Sequence, residues 1–83
     1  MQHFARTPQD MGHAIRQMRK ARGMTQRQLA VCSGLWQETI SKIETSQSTA
    51  TLETLFDLCA ALDLELVLTE RSKGSTTAFE DLF

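Results

Sequence analysis

Apolar residues recur every three or four positions along most of the chain, which is the spacing of one face of an α-helix. Capping residues and glycines divide this pattern, because Thr suits a helix start and Gly a helix end. The predicted helices cover about residues 8–22, about residues 26–32, a stretch after Gly34, and a stretch from Thr51 to near Asp63. The pattern therefore predicts an all-α domain of four to five helices.

The apolar spacing changes after the fourth helix. Leu64, Leu66 and Leu68 stand at every second position, which is the period of a β-strand. An isolated strand leaves its backbone groups unpaired, and pairing with the same strand of a second copy is the simplest remedy. We therefore predict one C-terminal strand that forms an intersubunit sheet and holds a homodimer. The alternative is that residues 64–69 extend the fourth helix.

Length and composition restrict the class of protein. The 83 residues allow one domain with a limited core, so a second copy would help to stabilise it. No apolar run approaches the roughly 20 residues that span a bilayer, and the two cysteines, Cys32 and Cys59, form no CxxC pair. We expect a cytoplasmic chain without metal or cofactor. Both cysteines are expected to pack inside the domain, and redox sensing is the alternative.

Charge is divided unevenly along the chain, although the formal net charge is only −1. Residues 1–44 carry seven basic and three acidic groups, a balance of +4, whereas residues 45–83 carry two basic and seven acidic groups, a balance of −5. A basic half is suited to phosphate, and an acidic half to facing away from it or toward another protein. Chance asymmetry in a short chain is the alternative.

The sequence QRQLAVCSGLWQETISKI, which begins at Gln26, meets several requirements of a helix-turn-helix at once. Gly34 stands where the tight turn needs a positive φ, and Ala30 is small where two helices approach closely. The predicted contact between the helices is filled by Leu29, Leu35, Ile40 and Ile43. In such a unit the first helix lies across the phosphate backbone and the second enters the major groove.

From IRQMRKARGMTQ to ISKIE the chain resembles the Cro/C1-type (XRE) repressor domain, over about residues 11–62. The resemblance implies a DNA-binding domain in which Arg19 and Glu44 form a structural ion pair. The chain departs from the family pattern at two places. Trp36 replaces the Ser or Thr that often caps the second helix of the helix-turn-helix, and the loop after Thr45 lacks the common glycine.

The continuation, LDLELVLTERSKG followed by FEDLF, is similar to the C-terminal strand and tail of HipB-type antitoxins. This second resemblance implies a dimer that binds a palindromic operator and represses its own operon. It also implies a partner, a HipA-like serine/threonine kinase toxin, bound through the face away from DNA.

Eight residues are predicted to contact DNA. Gln37 is the first choice for a base, because its amide can pair with adenine N6 and N7, and Glu38 can accept from cytosine N4 or repel phosphate. Trp36 is expected either to contact a sugar or a thymine methyl, or to pack against the second helix. The full set is Gln26, Arg27, Trp36, Gln37, Glu38, Thr39, Ser41 and Lys42.

The predicted organisation is an arm (residues 1–6), the helix-turn-helix domain (7–63), the dimerisation strand (64–70) and a tail (71–83). Phe79, Leu82 and Phe83 make the tail too apolar for a mere solubilising segment, so we expect it to bind a partner or to be recognised by proteases. No catalytic constellation is evident. Three functions remain open: a repressing antitoxin, a stand-alone repressor, and an interaction module that does not bind DNA.

Overall fold

The computed structural model describes residues 2–71 and has an all-α fold, as predicted. Its helices are α1 (Pro8–Ala21), α2 (Gln26–Ser33), α3 (Gln37–Glu44) and α4 (Leu52–Ala61). The bounds agree with the predicted ones to within two residues, because the caps and glycines that define them are local signals. None of these helices within residues 2–71 is long and apolar enough to cross a membrane.

Three of the helices begin in the same way. Thr7, Thr25 and Thr51 each accept a hydrogen bond from the backbone amide three residues later, which satisfies one of the free amides of the first turn. At α2 the Gln28 side chain also returns a bond to the Thr25 amide, so the two residues form a capping box. The N-cap of α3 is Trp36, whose side chain makes no such bond.

The ends of α1, α3 and α4 share a left-handed residue just beyond the last turn. These residues are Gly23 (φ 66°), Ser46 (φ 63°) and Asp63 (φ 57°), and each donates its amide to the carbonyl three residues earlier. The following amide bonds the carbonyl five residues before it, which completes a Schellman motif. The loop after α3 thus makes its left-handed turn at Ser46, although it lacks the glycine that is common in the domain the sequence resembles.

Ser46 is therefore a position where glycine should stabilise the protein. A left-handed conformation costs an L-residue about 1–2 kcal/mol, and glycine avoids this cost. Part of the gain is lost again, because glycine also gives the unfolded chain more conformational entropy. We expect Ser46→Gly to raise the free energy of unfolding by about 0.5–1 kcal/mol, measured by urea denaturation. Ser48→Gly is the control in the same loop, where φ is not positive. A Ser46→Gly variant that is destabilised as much as Ser48→Gly would contradict the expectation that relief of the left-handed conformation stabilises the protein.

The core lies where α1 and α2 pack on α3 and where α4 packs on α2. Its buried residues include three that the sequence placed between the helices of the helix-turn-helix, and Leu35 packs against them half-buried. The buried residues of this cluster are Ile15, Leu29, Ile40, Ile43, Leu58 and Leu62. The predicted inward face of the helix-turn-helix is therefore confirmed.

The inward face predicted for α4 is only partly correct. Leu52 and Phe56 belong to the same helical stripe as Leu55 and Leu62, yet they are 66% and 52% exposed. The reason is that α4 packs chiefly on α2, which covers a narrower face than the apolar stripe offers. Two large apolar side chains of α4 consequently stay on the surface of the single chain.

The chain beyond α4 leaves the helix axis at once. Arg22 ties this point to the end of α1, since its Nε donates to the carbonyl of Leu62 and its Nη2 to that of Asp63. The alternative in which residues 64–69 extend the fourth helix is therefore wrong. Residues 64–71 have no regular secondary structure within one chain, so the intersubunit strand stays a prediction. The tail residues Phe79, Leu82 and Phe83 lie outside the described residues.

Candidate nucleic-acid interface

A buried ion pair holds the helix-turn-helix against α1. Arg19 and Glu44 meet through two hydrogen bonds, Nε to Oε2 at 2.8 Å and Nη2 to Oε1 at 3.0 Å. The third donor, Nη1, bonds the Met24 carbonyl at 2.7 Å. Because the two residues are only 8% and 1% exposed, the pair is desolvated and geometrically defined. The structural role predicted for it is confirmed.

Gln26 joins this cluster from the first turn of α2. Its Nε2 donates to Glu44 Oε1 at 3.1 Å, and the side chain is partly buried. Gln26, which the sequence predicts to contact DNA, thus has a structural role in this chain, since its amide links α2 to the end of α3. A glutamine amide has two N–H groups, and Glu44 takes one of them.

Helix α3 has an apolar side and a polar side. Ile40 and Ile43 are buried, while Gln37, Glu38 and Lys42 are exposed. Thr39 and Ser41 lie at the boundary and are half-buried. The outward side of α3 therefore presents one amide, one carboxylate and one ammonium group.

Trp36 stands at the front of this row. Its side chain is 82% exposed, so the alternative in which it packs against α2 is wrong.

The exposed charges near the row partly offset one another. Lys42 Nζ lies 3.2 Å from Glu38 Oε1, one helical turn away, and both side chains are largely exposed. An exposed pair of this kind contributes little to stability, so either partner can leave it for another charge. Arg27 lies exposed in the first turn of α2, where free amides and the helix dipole favour an anion.

A family model described as helix-turn-helix matches residues 15–68, which is more than half of the chain. The chain belongs to the Cro/C1-type helix-turn-helix family. Antitoxin HipB of Escherichia coli strain K12 is 31% identical over 74 residues, which cover 89% of this chain and 84% of HipB. A second relative, the uncharacterized HTH-type transcriptional regulator y4dL of Sinorhizobium fredii, is 46% identical over 54 residues, 65% of this chain and 28% of that protein.

Solved structures agree with this assignment. A HipB-O4 20mer complex superposes with a TM-score of 0.75 at 30% identity, covering 87% of this chain and all of the other. A HipA-HipB-O2-O3 complex gives a TM-score of 0.74 at 30% identity over the same share. The restriction-modification controller protein C.AhdI from Aeromonas hydrophila gives 0.67 at 33% identity, covering 70% of this chain and 88% of the controller. The chain is thus a helix-turn-helix DNA-binding regulator of the HipB antitoxin type.

The two cysteines differ in environment. Cys59 is buried in α4 and therefore packs as predicted, and this burial raises the pKa of its thiol. Cys32 is exposed on α2, and the prediction that it packs is wrong. The last five residues of α2, from Leu29 to Ser33, are all apolar or small, so spacing alone does not show which of them are covered.

Sequence reasoning missed one residue that positions the interface. Gly12 lies in α1 where the backbone of α3 comes close, and a Cβ built on it would stand 2.2 Å from the Ile43 carbonyl oxygen. The sequence did contain a signal, namely a glycine inside a helical pattern. Because glycine lowers helix stability, its presence there indicates a close approach of another element.

Proposed function

We propose that this chain represses transcription by binding a palindromic operator as a homodimer, and that it is the antitoxin of a HipA-like kinase module that regulates its own operon. The observation that supports DNA reading most directly is the two-sided character of α3. Ile40 and Ile43 fix its inner side, so Gln37, Glu38 and Lys42 are held outward on a rigid element.

The arrangement assigns separate roles to α2 and α3 on a duplex. With α3 in the major groove, Gln37 would bond an adenine edge and Glu38 a cytosine amino group, while Ser41 and Lys42 reach further bases or phosphates. Arg27 and Gln26 would meet the phosphate backbone at the start of α2 and set the register of the contact. Phosphate contacts supply affinity that falls with salt, and base contacts supply sequence preference.

Gln37→Ala tests the reading role of α3. The side chain is exposed and outside the core, so the fold should be unchanged while operator discrimination falls by about 1–3 kcal/mol. Affinities for specific and unrelated duplexes at several salt concentrations give this quantity. Gln17→Ala, an exposed glutamine of α1 on the side away from Ile15, is the matched control. Equal loss in both variants, or no loss in either, would contradict the assignment.

Dimerisation is supported by apolar side chains that one chain leaves uncovered. Leu66 and Leu68 are 40% and 100% exposed, and Leu64 is half-buried against the core. Leu52 and Phe56 add apolar surface on α4. A second copy would cover such residues and would place the two α3 helices about 34 Å apart, one turn of DNA.

Leu66→Asp is expected to weaken the dimer, because it puts a charge into the predicted apolar side of the strand. The expected result in sedimentation or light scattering at micromolar concentration is a shift from dimer to monomer. Val67→Asp is the matched control, since Val67 is 74% exposed and would point to the other side of the strand. A wild-type chain that is monomeric, or a Val67→Asp variant that dissociates as readily, would contradict the intersubunit strand.

The antitoxin half of the proposal is supported by the extent of the similarity to HipB. It covers 89% of the chain, more than the helix-turn-helix match to residues 15–68, and a HipA-HipB complex is among the similar structures. The acidic second half and the tail with Phe79, Leu82 and Phe83 would face the kinase. The alternative is a stand-alone repressor, and the similarity to y4dL, which is named an HTH-type transcriptional regulator, is compatible with it. Copurification of the full chain with a kinase from a neighbouring gene separates these two functions.

A further inference from the structure

The backbone of Trp36 is fixed by α3, whereas its side chain is not covered by the protein. Its carbonyl accepts the Ile40 amide at 3.1 Å, and its φ and ψ of −74° and 141° are ordinary extended values. The indole is 82% exposed. A large apolar group is thus held at a defined place in front of the first turn of α3.

This placement is not explained by stability. The other helices begin with Thr7, Thr25 and Thr51, each of which makes a capping hydrogen bond, and tryptophan makes none at the same position. Burial would compensate for the missing bond, but the ring is exposed. The indole therefore leaves water only when a second molecule covers it.

Neighbouring side chains indicate which molecule this is. Gln37 and Glu38 follow Trp36 and are exposed, and Arg27 lies exposed in the first turn of α2. Residues 1–44 carry a balance of +4. A polyanion matches this charge, and the first residues of a recognition helix are those that face base edges.

The major groove of a duplex offers an indole only one kind of apolar group. Guanine, cytosine and adenine present hydrogen-bond donors and acceptors there, whereas thymine adds its C5-methyl group. The flat faces of the bases are stacked on one another and out of reach. The thymine methyl group is therefore the apolar contact that the major groove offers to the Trp36 ring, which lies beside Gln37 and Glu38.

We propose that Trp36 is a specificity-determining residue that selects thymine in each half-site through the C5-methyl group. The inference rests on the proposed function, because it requires α3 to lie in the major groove. It assigns to α3 an apolar contact in addition to the polar contacts of Gln37 and Glu38.

The test uses the full chain and a duplex that it selects from a random DNA pool. Each thymine of a half-site is replaced in turn by deoxyuridine, which removes the methyl group and keeps the hydrogen-bonding edge. For the wild-type chain we expect one or two positions at which removal of the methyl group lowers affinity about fourfold. For Trp36→Ala we expect the thymine and deoxyuridine duplexes to bind with equal affinity.

Two variants and one spectroscopic signal act as controls. Trp36→Phe keeps an apolar ring and should keep the methyl dependence, and Gln37→Ala should bind more weakly but with the same dependence. Thermal unfolding checks that Trp36→Ala is folded, as an exposed side chain without a capping bond predicts. Trp36 is the single tryptophan of the chain, so its emission should change when the duplex binds.

The proposal is overturned if Trp36→Ala and the wild-type chain respond equally to methyl removal, or if the wild-type chain does not respond at any thymine. A selected duplex without thymine in its half-sites, or unchanged emission at saturation, also overturns it. In these cases sequence-specific binding remains and the proposed function stands. If the selection yields no preferred sequence, both fail together.

Discussion

Replacing Glu44 with alanine is expected to lower the free energy of unfolding by about 3–5 kcal/mol, a large part of the stability of a small domain. The change leaves Arg19, which is only 8% exposed, without its carboxylate. It also removes the acceptor of the Gln26 amide, so α1, α2 and α3 are no longer joined at a common point. Urea denaturation followed by circular dichroism measures the decrease.

Two comparisons separate the buried ion pair from a general effect of charge. Arg19→Met combined with Glu44→Leu removes both charges, and it should recover most of the lost stability, because an apolar pair of similar size needs no partner. Glu38→Ala removes one partner of the exposed pair with Lys42 and should change stability by less than about 1 kcal/mol. An equally small effect of Glu44→Ala would show that water reaches Arg19.

Local signals explain why so much of the fold follows from the sequence. A Thr cap, a left-handed glycine and an apolar period act within a few residues, so Thr7, Thr25 and Gly34 define helix ends wherever the helices then pack. The helix-turn-helix contact also follows, because its spacing repeats a known motif. The ion pair of Arg19 and Glu44 came from the resemblance, since 25 residues separate the partners.

What failed depends on which neighbour covers a surface. Phe56 and Cys59 share the apolar pattern of α4, and only the position of α2 decides that one is exposed and the other buried. For Cys32 on α2 and Trp36 before α3, the sequence likewise did not show whether another element covers the side chain, and both are exposed. A periodic pattern identifies the side of a helix that prefers burial, whereas the extent of burial depends on contacts across the chain and, for a dimer, across copies.

The outward side of α3 follows from both kinds of information. Sequence spacing assigns Gln37, Glu38, Ser41 and Lys42 to one side. The structure shows the first two and Lys42 exposed together, whereas Ser41 is half-buried. The position of these side chains depends on how closely α3 approaches α1, and the spacing of apolar residues does not predict that distance. Gly12 controls that approach, so a substitution there should affect both stability and DNA binding.

Gly12→Ala is expected to destabilise the protein by about 2–3 kcal/mol, although alanine is the better helix former. Helix propensity alone would favour alanine by about 1 kcal/mol. The added Cβ would stand 2.2 Å from the Ile43 carbonyl oxygen, a backbone atom that cannot rotate away. Separating α1 from α3 to relieve this clash disturbs a packed core, which costs typically about 1–3 kcal/mol and occasionally more. Because the clashing atom belongs to the backbone, we expect a cost of about 3–4 kcal/mol here, and subtracting the propensity gain leaves about 2–3 kcal/mol.

Gly23→Ala gives the matched control, because a Cβ there meets nothing within 4 Å and only the φ of +66° opposes it. We expect that variant to lose about 1–2 kcal/mol of stability and to bind DNA as before. Gly12→Ala should in addition bind its operator more weakly at a temperature where it is folded. The reason is that a shift of Ile43 moves α3, and with it the side chains that we propose contact the bases. Unchanged or increased stability of Gly12→Ala in thermal unfolding would show that α1 and α3 separate without cost, and that their close approach does not hold α3 in place.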